Sequence, residues 1–254
     1  MLRDTLLAAT LSALFAALIL TFAQAMWVTP LIFEAETYES TGSAEPQGVE
    51  THEAHAHEHD EEWEPADGWQ RTTFTLAANL VMSLGYSLIL MAAYTLWRQP
   101  SGVWSGVAFG FAGFIVFFAA PSLGLPPELP GTVAAPVHDR QLWWLMTAAL
   151  TGGGLLMLFS NSFSWLKAIA GVALLIAPHF VAAPAPEVHD ALAPEELQRR
   201  FQIATTLANA GFWLLLGAAS SLAFRKLISQ HGHVTTLEHS THSSHDRDRI
   251  PRQR

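Results

Sequence analysis

Six long apolar stretches, separated by short polar turns or by acidic loops, limit this chain more than any other feature. About 20 mostly apolar residues are needed to carry an α-helix across a bilayer core, where backbone polar groups must be satisfied within the segment. Stretches of that kind run near 6–28, 73–97, 103–120, 142–159, 165–183 and 201–224. Half of the residues are hydrophobic and 14% are charged, a balance suited to helices that meet lipid rather than to a single aqueous core. The expected fold is all-α: a polytopic integral membrane helical bundle over 1–228 with about six transmembrane helices, followed by a polar, His-containing tail over 229–254.

The turns support that division. Arg98-Gln99-Pro100-Ser101-Gly102 joins the second and third stretches, its Pro and Gly ending one helix and freeing the next. Ser160-Asn161-Ser162-Phe163-Ser164 joins the fourth and fifth in the same way, and Pro178-His179 interrupts the fifth. Ala23-Gln24-Ala25 resembles the small-residue site that ends a signal peptide, and cleavage there would leave five spans. The apolar run before it is longer than a signal core of about 7 to 15 residues, so a retained first span is expected.

Charge gives an independent test of the count, because cytoplasmic flanks collect Lys and Arg. With both termini inside, nine basic residues fall inside and four outside: Arg71, Arg140, Arg199 and Arg200. The same arrangement turns eighteen of the twenty-two acids outward, making the outer face attractive to cations. A net charge of −9 argues against nucleic acid as a partner. Between the spans, Leu125-Pro126-Pro127-Glu128-Leu129-Pro130-Gly131 predicts a stiff loop, and Pro194-Glu195-Glu196 predicts the start of a short helix.

Metal chemistry enters through the outer loop over 34–70. His52, His55, His57 and His59 fall within eight positions, followed by Asp60, and imidazole and carboxylate are common ligands for divalent transition metals. An extended chain would align His55, His57 and His59, whereas a helix would align His52, His55 and His59. The spacing therefore chooses neither structure nor metal, and a solvated low-complexity loop has the same composition. The chain has no Cys, so any metal is held by N and O donors. Intramembrane polar residues usually face a bundle interior; here they are Gln24, Asn79, His179 and Asn209. For the amides, hydrogen bonds to neighbouring helices compete with lining an ion path. Gly106, Gly110, Gly113 and Gly152-Gly153-Gly154 read as helix-packing positions, and Trp27, Trp69, Trp97, Trp104, Trp143 and Trp144 as interfacial anchors. No phosphate-binding loop is present, so the chain lacks the usual apparatus for ATP hydrolysis, and energy for transport comes from a partner or a gradient; with no folded catalytic segment outside the spans, it is not expected to be an enzyme.

Several separated strings resemble one known family. Leu20-Thr21-Phe22-Ala23-Gln24 followed by Val28-Thr29-Pro30-Leu31-Ile32-Phe33-Glu34-Ala35-Glu36-Thr37-Tyr38-Glu39 is similar to the first-span signature of CbtA-type cobalt transporter subunits. Leu123 to Gly131, Arg140-Gln141-Leu142-Trp143-Trp144, Ala177-Pro178-His179-Phe180 and Asn209 to Gly217 continue that likeness in order and spacing. The resemblance implies a multi-pass protein of the bacterial cytoplasmic membrane that takes up Co²⁺ for cobalamin synthesis with a small single-span CbtB-type partner. It raises Glu34, Glu36, Glu128 and His179, which lie in the matching strings, above the loop histidines. The expected path is a mouth of Glu34, Glu36 and Glu128 leading to His179 and Gln24 or an amide, fed by the His-rich loop as a collector. Co²⁺ is expected as cargo rather than as a tightly bound cofactor, with Ni²⁺, Zn²⁺ and homo-oligomerisation left open. A membrane-anchored metal-binding or sensing module, or a structural subunit of a larger membrane complex, would use the same features without moving an ion.

Overall fold

The computed structural model describes residues 2–42, 65–97, 99–160, 164–188 and 190–229. They form six helices: α1 (Leu2–Glu39), α2 (Trp69–Leu96), α3 (Val103–Ser122), α4 (Val137–Leu158), α5 (Trp165–Phe180) and α6 (Glu195–Leu227). Among the described residues there is no strand beyond one isolated bridge, Thr132 with Ala191. The protein is thus a polytopic helical bundle, as its apolar stretches predict. All of these helices except α5 are long and apolar enough to cross a membrane.

Exposure along α1 shows the environment for which the fold is built. Ala8, Ala9, Ser12, Ala13, Ala16 and Ala17 are buried, while Leu6, Leu7, Leu11, Leu14, Phe15 and Leu18 are exposed. Small residues face the protein and large apolar ones face outward, the reverse of a helix packed in water. That inversion suits lipid, where close approach of backbones rather than burial of large side chains drives association.

The chain clusters into two compact units. The first comprises Met1–Leu18, Leu80–Phe111 and Trp213–Arg254. Here α3 and α6 meet at their glycines: a Cβ on Gly106 or Gly110 would strike the backbone of Gly217 or Trp213. Tyr94 lies buried beside this seam, its hydroxyl 2.9 Å from Ser220 Oγ, and Ser12 Oγ lies 2.8 Å from Ser87 Oγ.

The second unit comprises Ile19–Asn79 and Ala112–Phe212. Its core joins Val28, Leu31 and Ala35 of α1, spaced on one helical face, to Leu129, Ala193, Leu197 and Phe201. Gly154 and Gly171 bring α4 and α5 into close contact. The two loops over 123–136 and 181–194 are tied together by Val133 N–H to Asp190 O (3.0 Å) and Leu192 N–H to Gly131 O (3.3 Å). Gln198 clasps the proline loop from α6, accepting from Leu129 N–H at 3.0 Å and donating to Pro127 O at 2.7 Å.

Four elements differ from the expectations. The first span was expected to end near residue 28, yet α-helix continues over Thr29–Gly42 beyond Pro30. A π-turn over Gln24–Val28 precedes it, with Thr29 N–H bonded back to Gln24 O; this wider turn accommodates a proline that has no N–H and crowds the preceding turn. The short helix expected at Pro194 is instead the first turn of α6, with no break before the span. Helix α5 ends at Phe180, and at 16 residues its length of about 24 Å falls short of a hydrocarbon core of about 30 Å. Trp143 is buried rather than interfacial, its Nε1 donating to Val181 O at 3.2 Å where the chain leaves α5 in extended form.

Candidate functional site

The polar residues of the second unit are positioned by α1. Its π-turn begins at Gln24, and the Gln24 side chain meets Asn79 of α2: Asn79 Nδ2 donates to Gln24 Oε1 at 2.6 Å and to Thr21 Oγ1 at 2.9 Å. Asn79 is 5% exposed, so this is a buried amide and hydroxyl knot between two spans. Asn209 behaves differently. Its Nδ2 donates to Thr205 O, one turn earlier on its own helix, at 3.0 Å.

About three turns further along, the same helix presents Glu34 and Glu36, and each has an arginine partner. Glu36 is paired in two places with Arg71 at the start of α2, through Nη2 to Oε1 at 2.5 Å and Nη1 to Oε2 at 3.3 Å. Glu34 lies 3.9 Å from Arg200 of α6, and Glu128 on the proline loop lies 3.4 Å from Arg140 of α4. Arg71 also donates to Asp67 at 3.1 Å and stands 4.9 Å from the centre of the Phe33 ring. Among the described residues, no group of three or more His, Asp or Glu is arranged to hold a metal ion. The three acids expected to form a mouth are therefore each beside a different arginine, and a cation reaching any of them competes with a guanidinium.

Three cavities open among these residues. One of about 930 Å³ is lined by Phe117, Pro127, Glu128, Arg140, Phe201 and Arg71. A second of about 300 Å³ is lined by Thr21, Gln24, Phe33, Thr75 and Arg71. The third, about 710 Å³, is bounded by Glu36, Glu39, Asp67, Pro130 and Arg71. Arg71 is common to all three, and so connects the surroundings of Glu128, Gln24 and Glu36. His179 and Glu34 line none of these cavities. His179 is exposed at the end of α5 beside the buried Pro178, with its ring edge-on to Trp143 at 6.4 Å between centres.

The residues missed from sequence are the arginines, Asp67 bonded to Arg71, and Thr21 bonded to Asn79. A signal for the arginines was present: Arg71, Arg140, Arg199 and Arg200 are the four basic residues that the expected topology leaves on the outer face, and all four are ion-paired, Arg199 with Glu196 at 2.8 Å. His52, His55, His57, His59 and Asp60 lie outside the described residues.

No curated protein and no solved structure matches the chain with significance. A family does: the one described as "Probable cobalt transporter subunit (CbtA)" matches residues 2–225. The apolar helices make this a multi-pass membrane protein, and with nearly its whole length matched the chain belongs to the CbtA family of cobalt transporter subunits.

Proposed function

We propose that this chain is the membrane subunit through which Co²⁺ is taken up for cobalamin synthesis. It works in the bacterial cytoplasmic membrane with a small single-span CbtB-type partner, both termini facing the cytoplasm. The observation that carries this reading is the pair of arginine-bound carboxylates, Glu128 and Glu36, lining two cavities that share Arg71 with a third lined by Gln24, within a chain of the cobalt transporter family.

Magnitudes favour exchange over permanent capture. A partly exposed ion pair contributes about 0–1 kcal/mol, and the side chains of Arg71 and Glu36 are 31% and 33% exposed. An arriving divalent ion brings twice the charge of a guanidinium and can displace it, while departure of the ion is assisted by the arginine returning. A transport site requires that binding be weak enough to release. In this arrangement Glu34, Glu36 and Glu128 gather the ion, Gln24 with Asn79 offers amide oxygens deeper in the unit, and His179 supplies an accessory imidazole outside the three cavities. The loop carrying His52, His55, His57, His59 and Asp60 acts as a collector.

The test is metal-resolved uptake in cells lacking their own cobalt uptake system. Cells given this chain and its partner are expected to accumulate labelled cobalt in preference to nickel and zinc, and cells given the partner alone are not. Cobalt bound to membranes without accumulation inside would replace this reading with a metal-binding or sensing module.

A further inference from the structure

Arg71 of the second unit is restrained from three sides. Its guanidinium is held by Glu36 from α1, by Asp67 from the turn before α2 and by the face of Phe33. Planar geometry allows the guanidinium to satisfy both acids while stacking on a ring, which the compact ammonium of lysine does not reproduce. Its side chain is half-buried, and it borders all three cavities. Gln24 Oε1 and Thr21 Oγ1, the oxygens at the amide knot, belong to the residues lining the same 300 Å³ cavity as Arg71.

We propose that Arg71 is the charge gate of this cavity, a tethered cation that sets which ions reach Gln24 and Asn79. With the guanidinium on Glu36, any ion in the cavity that Gln24 lines shares it with a fixed positive charge. A monovalent ion exchanges for the guanidinium at no electrostatic gain and is repelled. A divalent ion gains more from Glu36 and Asp67 than Arg71 does, so it moves the side chain aside and passes. The tether keeps the displaced arginine within reach, and it closes the carboxylate again once the ion has moved on. This deepens the cobalt-uptake reading and rests on it for direction of travel, but the exchange at Glu36 holds for a divalent ion travelling either way.

The test uses the full-length protein in detergent, titrated with Co²⁺ by calorimetry with and without potassium chloride, and the same protein in vesicles for flux. Removing the competitor in Arg71→Gln is expected to tighten Co²⁺ binding about fivefold, the scale of one partly exposed ion pair, and to make binding newly sensitive to potassium. Arg71→Lys, which keeps the charge and loses the two-point grip, is expected to fall between Arg71→Gln and the native protein. Binding that is unchanged or weaker in Arg71→Gln, with native thermal stability, overturns the gate. If Arg71→Gln does not fold, Arg71→Lys decides alone, and affinity at or below the native value overturns it. Tightened binding without cobalt flux in vesicles supports the gate and removes the transport reading instead.

Discussion

The two compact units differ in the polar contacts that join their elements. In the unit of Met1–Leu18, Leu80–Phe111 and Trp213–Arg254, the buried polar side chains include hydroxyls: Ser12 with Ser87, Tyr94 with Ser220, and Ser221 bonded to its own helix. They lie beside a seam where glycine backbones touch. In the unit of Ile19–Asn79 and Ala112–Phe212, by contrast, amides and full charges meet across elements: Asn79 with Gln24, Arg71 with Glu36, Arg140 with Glu128 and Arg200 with Glu34. Hydroxyls bonded at a tight seam have nothing to exchange with an ion. Paired charges beside open cavities do. The proposed function places ion handling in the second unit, while the first offers close packing beside buried hydroxyls.

Substitutions at glycines should break the first unit with the largest effect. Gly110→Leu drives a side chain into the backbone of Trp213 and Gly217; because backbone cannot swing away as a side chain can, the expected cost is about 3 kcal/mol or more. Thermal unfolding in detergent and the amount reaching the membrane would show it. Gly85→Ala, in the same unit but with open space around it, should leave both unchanged or slightly improved. Equal tolerance at the two positions would mean that the glycine seam does not hold these helices.

A smaller effect on stability, with a larger one on uptake, is expected in the second unit. Asn79→Leu removes both hydrogen bonds of the amide knot, yet single interhelical hydrogen bonds in membranes average about 0.6 kcal/mol, so unfolding should shift only slightly. Cobalt uptake at limiting metal should nevertheless fall severalfold. A variant that loses stability and uptake in proportion would make Asn79 a packing residue, and the contrast between the units would weaken.

Much of the architecture was readable from the chain, because apolar length is a local property. The apolar stretches, the turn at 98–102 and the packing roles of Gly106, Gly110 and Gly154 follow from neighbouring residues alone. Gln24 and Asn79 were also visible, since an amide inside an apolar stretch is conspicuous. What escaped depends on geometry that local pattern does not encode. Pro30 reads as a helix end unless the preceding π-turn is known, and Gly152 and Gly153 read like Gly154 although both have room around them. Trp143 sits near a span end as an interfacial anchor would, but it is buried because the short α5 delivers the Val181 carbonyl to it. Most telling are the carboxylates: Glu34, Glu36 and Glu128 were picked out without their arginines, since the partners lie on other helices at separations that no periodicity marks.

The account stands most directly on Glu36. Saturable Co²⁺ uptake should be measured in vesicles containing the full chain with its partner, comparing Glu36→Gln with Glu196→Gln, whose carboxylate is paired with Arg199 on an exposed helix face away from the three cavities. Loss of a charged contact of this kind is worth about 1.5 kcal/mol or more, so Glu36→Gln should raise the half-saturating cobalt concentration roughly tenfold while Glu196→Gln leaves it unchanged. Equal behaviour of the two variants, at equal reconstituted levels, would contradict the claim that the arginine-paired acids lining the cavities, Glu36 among them, handle the ion.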